Sequence, residues 1–296
     1  MYRRIVIAAI LTVGLFTAFP VHAAKYDLSL WRFCQRGADG WCVADPSNPN
    51  KVLTNQGGFE SFAKQFAAVI APKFHAPAET LGSAGFNLGL EVAVNQIPGG
   101  DNWADALQGV ERFPNLNYGG GKDGSAPSML NTLRFHARKG LPYSMELGMN
   151  VNYVIGSQMF TFGGEFKFAF FEGFKYYPDF AVRMTYDHLF NSEDLDMDLW
   201  NWDLSVSKNF GVAGFLQLCP YTGYSVVLMR ARPHVANPTF DPYNNDRLLL
   251  LDGITAPIHR WFLGLRMMAS YVSFSPEIII SSESVYNYSF NLGVDF

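Results

Sequence analysis

Beyond its first two dozen residues the chain has no apolar run of eighteen or more, which excludes a protein that crosses a membrane on helices. It is also poor in charge: 16% of residues are charged, against about 25% in ordinary soluble domains. The net charge is −4 and no basic cluster stands out, so a nucleic-acid partner is not expected. Cysteine is sparse, with three in the chain. The six histidines are scattered, without metal-site spacing, and the sequence shows no cofactor motif. Metal, cofactor and catalytic residues are therefore all expected to be none.

Aromatics, in contrast, reach 16%. A chain this aromatic and this weakly charged, without helical spans, carries its apolar residues on strands. The N-terminus explains how it leaves the cytoplasm. Arg3 and Arg4 precede an uncharged apolar stretch over residues 5–19, and Val21-His22-Ala23 has the small-x-small form of a cleavage site. Residues 1–24 thus read as a secretory signal peptide. In an exported protein Cys34 and Cys42, flanking "CQRGADGWC", read as a local disulfide. Cys219, alone in a predicted strand, reads as a small buried side chain.

Two regions follow. Residues 25–84 form an N-terminal segment, expected on the periplasmic side. It holds the disulfide loop and an amphipathic helix marked by Phe59, Phe62, Phe66 and Ile70, which Pro72 ends. The helix is placed beside the first strand, as a plug of the barrel mouth or against the membrane or periplasmic rim.

From residue 85 to 296 the period becomes 2. In "FNLGLEVAVNQ" Leu88, Leu90, Val92 and Val94 alternate with Asn87, Gly89, Glu91 and Asn95. "YSMELGMNVNYVI" sets Met145, Leu147, Met149 and Val151 against Glu146, Gly148, Asn150 and Asn152. "MFTFGGEFKFAF" puts five phenylalanines opposite Glu165 and Lys167, and "WNWDLSVS" sets Trp200, Trp202 and Leu204 against Asn201, Asp203 and Ser205. Further strands are expected near 128–139, 178–190, 214–230, 259–269 and 271–280, and a last one ends at Phe296.

The fold class is all-β: an antiparallel transmembrane barrel of about ten strands (eight to twelve fit), with a short N-terminal helix. The region 265–285 is the least regular part of that count. Short turns ("KGLP", "EGFKYYPD", "NFGVAG" and Ala269-Ser270) alternate with long polar loops at 98–127 and 231–256. This is the asymmetry of a barrel with its long loops outside. A soluble sandwich is disfavoured because five phenylalanines on one strand face exceed what a core about 10 Å thick packs. Aromatics near strand ends (Tyr143, Trp200, Trp202, Trp261, Tyr286, Phe296) suit membrane-interface girdles.

These features together resemble bacterial outer-membrane β-barrel proteins, including uncharacterised predicted Gram-negative barrels. The resemblance covers residues 85–296 and implies location in the outer membrane. It implies outer-membrane lipids and lipopolysaccharide as surroundings, and the barrel-assembly machinery as partner during biogenesis. Tyr288, Phe290, Leu292, Val294 and Phe296 match the assembly signal of that class.

The alternation gives an inward-facing set: Glu91, Arg134, His136, Arg138, Glu146, Glu165, Lys167, Arg183, Asp187, Asp203, Arg266 and Glu277. The leading reading is a narrow pore or binding barrel for small solutes, porin-like and lined by these groups. The competing reading is a structural or surface-adhesion barrel with a closed lumen, its loops carrying Trp103, Phe113, Tyr118, Phe240 and Tyr243. A third is an omptin-like enzyme at Asp187-His188. It fits poorly because neighbours on a strand point to opposite faces.

Overall fold

The computed structural model describes residues 25–38, 42–73, 75–107, 126–212, 215–234 and 248–296. The expected signal peptide and the loop aromatics Phe113, Tyr118, Phe240 and Tyr243 lie outside them. The chain opens with a small two-stranded ribbon, β1 (Ala44–Asp45) and β2 (Asn48–Val52). Cys34 and Cys42 are joined in a disulfide beside it. Helix α1 (Gln56–Ile70) follows, capped by the Asn55 side chain, which accepts from the Gly58 amide at 3.1 Å. It ends where Ala71 turns extended (ψ 151°) ahead of Pro72.

The barrel strands are β3 (Phe86–Gln96), β4 (Met129–Leu141), β5 (Met145–Val154), β6 (Phe160–Phe171), β7 (Asp179–Phe190) and β8 (Leu195–Ser207). A short strand, β9 (Phe210–Val212), is followed by β10 (Leu216–Pro233), β11 (Ile254–Ala269), β12 (Val272–Ser281) and β13 (Tyr286–Asp295). A second short helix, α2 (Asp101–Ala106), lies between β3 and β4. Ten strands close into one antiparallel barrel, in which β13 pairs with β3 and β10 pairs with β11. Phe86 and Phe296 exchange backbone hydrogen bonds at 2.6 and 2.9 Å, so the barrel begins and ends at one rim. The irregular stretch between β11 and β13 resolves into two tight hairpins, turning at Ser270-Tyr271 and at residues 282–285.

The alternation has a physical cause that the burial pattern makes plain. In β13 the residues from Tyr286 to Val294 are alternately exposed and buried, with Leu292 at 56% and Asn291 at 0% exposure. Apolar side chains stand outside and polar ones inside, the reverse of a soluble domain. A ten-residue strand tilted by about 40° rises roughly 25 Å, the height of a hydrocarbon layer. Tyr143 and Phe296 stand at the short-turn rim, Trp200 and Tyr286 toward the other end, and Trp261 packs beside Tyr224 on the outer wall. No helix of the described residues is long and apolar enough to cross a membrane. Phe290→Arg, placing a charge midway along the outer face of β13, is expected to cost about 2–4 kcal/mol in a bilayer. Urea titration in lipid vesicles checks this.

The part of the N-terminal segment up to the end of α1 does not sit beside the start of β3, where the sequence reading placed the helix. It fills the opposite mouth. Tyr26 donates its amide to Gly156 at 3.0 Å, Leu30 to Asp194 at 2.7 Å and Gln158 to Asp27 at 2.7 Å. The side chain and backbone of Gln56 and Asp252 bond each other at 3.0 and 3.1 Å. The fifteen residues 71–85 make this placement reachable. Extended, they span up to about 50 Å, more than the length of the barrel.

Candidate functional site: the occupied lumen

The inward faces of the strands divide into two zones. Toward the long-loop mouth they are apolar: Leu130, Val154, Leu189, Leu195, Met197, Leu199, Val227, Met229 and Ile258 are all buried there. Phe59, Phe62, Phe66 and Ile70 of α1 are fully buried in the same cluster, with Trp103 and Leu107 from the loop after β3. Phe62 stacks on Phe66 at 5.6 Å and meets Trp103 edge-on at 5.0 Å. The Trp103 indole N–H donates to Gln65 at 2.6 Å. Trp103 is thus not a solvent-facing loop aromatic, as the adhesion reading had it. It closes the core over the helix.

Below α1 the lumen is polar, and every residue of the inward-facing set is found on its wall. Strand register brings Glu146, Lys167, Arg183, Asp203, Ser225 and Arg260 into one continuous rung across six strands. Arg183 contacts Asp203 at 2.6 Å and Glu165 at 3.4 Å, and Glu165 also pairs with Arg138. Glu146 and Lys167 pair at 3.0 Å, and Arg266 holds Asp295 at 2.7 Å near the Phe296 rim. Glu91 stands opposite Arg134 in the β3–β4 register, and His136 bonds Asn87 at 3.1 Å. Asp187 is fully buried on the wall.

What these groups hold is the chain itself. Residues 71–85, leaving α1, run down the lumen to β3. The Ile70 carbonyl accepts from Arg134 at 3.3 Å and from Asn152 at 3.2 Å. The Pro72 carbonyl accepts from Arg260 at 3.0 Å, and that of Lys73 from Arg183 at 3.5 Å. His75 donates its amide to Glu277 at 2.9 Å, sets Nδ1 2.8 Å from the same carboxylate, and stacks on Phe262 at 3.8 Å. Tyr221 donates its hydroxyl to Glu277 at 2.9 Å. Lower down, Lys167 donates to the Pro77 and Glu79 carbonyls at 3.1 and 3.0 Å. The Ala78 amide donates to Ser207 at 2.9 Å, and the Leu81 amide to Glu146 at 2.6 Å. Lys139 receives the end of the segment through the Ser83 and Gly85 carbonyls at 2.9 and 3.2 Å. At Gly140 a Cβ would collide with the Gly82 carbonyl oxygen, so glycine permits the close crossing.

A buried backbone must find hydrogen-bond partners, and here the wall charges supply them. Pro72 and Pro77 bring no N–H into the lumen and hold the backbone extended, which lowers both demands. Small wall residues, among them Ala93, Ala169, Ala181, Ser205, Ser273 and Ser289, leave the width for an extended chain. Beside residues 76–81 a void of 10 Å³ remains, between Asn87, Arg138, Glu146, Lys167 and Arg266, about enough for one water.

Sequence reasoning missed Arg260, Tyr221, Lys73 and His75. Arg260 carries the same inward alternation as Arg266, so it was within reach of the pattern. Lys73 and His75 lie off any strand, and periodicity has no purchase on them. The omptin-like pair is not assembled: His188 faces outward and pairs with Asp198 at 2.8 Å, while Asp187 points in. At the rim His234 is held above the ordinary histidine value by the Glu193 carbonyl and by Asp196, which lies 3.2 Å away. Among the described residues no group of three or more metal-ligating side chains converges.

No protein-family model matches the chain, and no curated protein sequence does. Solved structures similar to it include Ail, the attachment invasion locus protein of Yersinia pestis, at 8% identity over 72% of this chain and 99% of that one, TM-score 0.28. The Neisserial surface protein A is 13% identical over 72% and 98%, TM-score 0.29. The β domain of the Bordetella autotransporter BrkA is 9% identical over 72% and 100%, TM-score 0.39. These likenesses are distant, and the chain's own architecture carries the assignment: every wall strand is paired on both sides around a closed ring, and the outer face is apolar. The molecule is a ten-stranded transmembrane β-barrel of the bacterial outer-membrane type, with its own N-terminal segment inside.

Proposed function

We propose that this barrel is a closed, non-conducting anchor that holds a small N-terminal cap on its long-loop mouth. The observation that carries the reading is the backbone between Ile70 and Leu81, hydrogen-bonded to lumen charges from Arg134 at one end to Glu146 at the other. A solute would have to displace a chain whose every departure exposes a buried carboxylate or guanidinium. In planar bilayers the intact protein is expected to give no conductance steps, and a variant lacking residues 25–81 is expected to give them. Steps from the intact protein would instead support the second reading, a narrow polar pore or binding barrel for small solutes. That reading draws on the same charged wall.

The proposal assigns the remaining surfaces as well. The outer wall suits acyl chains of outer-membrane lipid and lipopolysaccharide. The outward ridge Tyr288, Phe290, Leu292, Val294 and Phe296 is the part the barrel-assembly machinery would read during biogenesis.

A further inference from the structure

We infer that the barrel passes its own N-terminal segment through the membrane and displays residues 25–70 on the outer face of the cell. The inference rests on the occupied lumen, as the closed-anchor reading does, but concerns sidedness and not conductance. The cap and the first residue of β3 stand at opposite mouths because residues 71–85 traverse the lumen between them. At the β3 mouth lie the short links 142–144, 172–178, 208–215 and 270–271, together with Phe86 and Phe296. The long connections 97–128 and 234–253 leave from and return to the cap mouth, where β3 ends, β4 begins, β10 ends and β11 begins. Barrels of this class keep short turns in the periplasm and long loops outside, so the cap is outside.

The cap cannot have crossed as a finished domain. It is small, residues 25–70, and its helix face is completed by the barrel: Phe59, Phe62 and Phe66 share one cluster with Leu130, Leu199, Met229 and Ile258 from four strands. A unit of this size without its own core does not fold alone. It also carries a cross-link, Cys34 to Cys42, next to the ribbon that touches Leu248 of the outer loop. The order that fits is passage of an extended chain, closure of the ring round residues 71–85, and then folding of the cap on the apolar upper wall. The lumen segment is the part of the cargo that never leaves the channel.

Single cysteines test this in intact cells, using a membrane-impermeant maleimide and the full chain. Asn50 is exposed on the cap, and Tyr176 is exposed in a short turn at the other rim. The native thiols give little background, since Cys34 and Cys42 are bonded and Cys219 is buried. Asn50→Cys is expected to label in intact cells with no gain on permeabilisation. Tyr176→Cys is expected to label only after permeabilisation. Should the extra thiol disturb the Cys34–Cys42 bond, an epitope inserted between Pro46 and Ser47 and read by antibody on intact cells gives the same answer. A cap site that stays silent until cells are permeabilised, or a Tyr176 site that labels from outside, overturns the inference. Conductance from the intact protein with an outward-labelled cap would overturn the closed-anchor reading alone.

Discussion

Arg183→Met is expected to destabilise the folded barrel by about 3–5 kcal/mol, the usual cost of removing one partner from a buried ionic network. Arg183 is the hinge of that network. It binds Asp203 through two nitrogens at 2.6 and 2.7 Å, reaches Glu165 at 3.4 Å, and supports the Lys73 carbonyl of the lumen segment. Methionine fills a similar volume but leaves Asp203 facing Asn201 and the edge of His75, which stands 3.6 Å away. Glu165 keeps Arg138. The loss is therefore expected toward the lower end of the range. Urea unfolding, followed by the gel mobility of the unheated protein, measures it. Arg183→Met combined with Asp203→Asn should recover part of the loss, because the carboxylate that Arg183 leaves behind is then neutral. A single variant indistinguishable from the parent would mean that the wall charges are hydrated and not load-sharing with the segment.

Phe62→Ala is expected to cost about 3–5 kcal/mol as well, by cavity formation, but in a different place. Phe62 is wholly buried between Phe33, Phe66 and Trp103, at centroid distances of 5.8, 5.6 and 5.0 Å. Its removal weakens the seat of α1 on the apolar upper wall and touches nothing below Ile70. The expected result is a cap that limited proteolysis cuts within residues 25–70 while the barrel from residue 86 onward stays intact. Conductance should remain absent, because Glu277, Lys167 and Glu146 still hold the lower segment. Phe62→Leu, keeping most of the volume, should be cut far more slowly. If Phe62→Ala alone opened the channel, the apolar helix and not the polar segment would be the closure.

The sequence expresses some of these features and hides others for definite reasons. Ten strands were legible because outward and inward faces differ at every second residue, a property local to each strand. The edges were less so. β8 was expected from Trp200 but begins at Leu195, since "LDMDL" reverses the pattern: Asp196 and Asp198 point out near the wet rim and Leu195, Met197 and Leu199 point in. That reversal makes sense only once α1 is packed against them. β11 likewise extends back to Ile254, where Ala256 and Ile258 face the cap. The segment "APKFHAPAET" shows no period, so nothing in it announced a chain destined for a lumen, although its alanines and prolines suit one.

By itself, then, the sequence determined the class of the molecule, its closed ring and its apolar exterior. These follow from short-range alternation and from the rule that backbone in lipid must be paired. Only the tertiary structure decided what occupies the inside. Register aligned Glu146, Lys167, Arg183, Asp203 and Arg260 on one rung, and chain reach let residues 71–85 cross to the far mouth. The first depends on pairing between neighbouring strands and the second on contacts such as Ile70 with Arg134 and His75 with Glu277, 64 and 202 positions apart, and no local pattern encodes either.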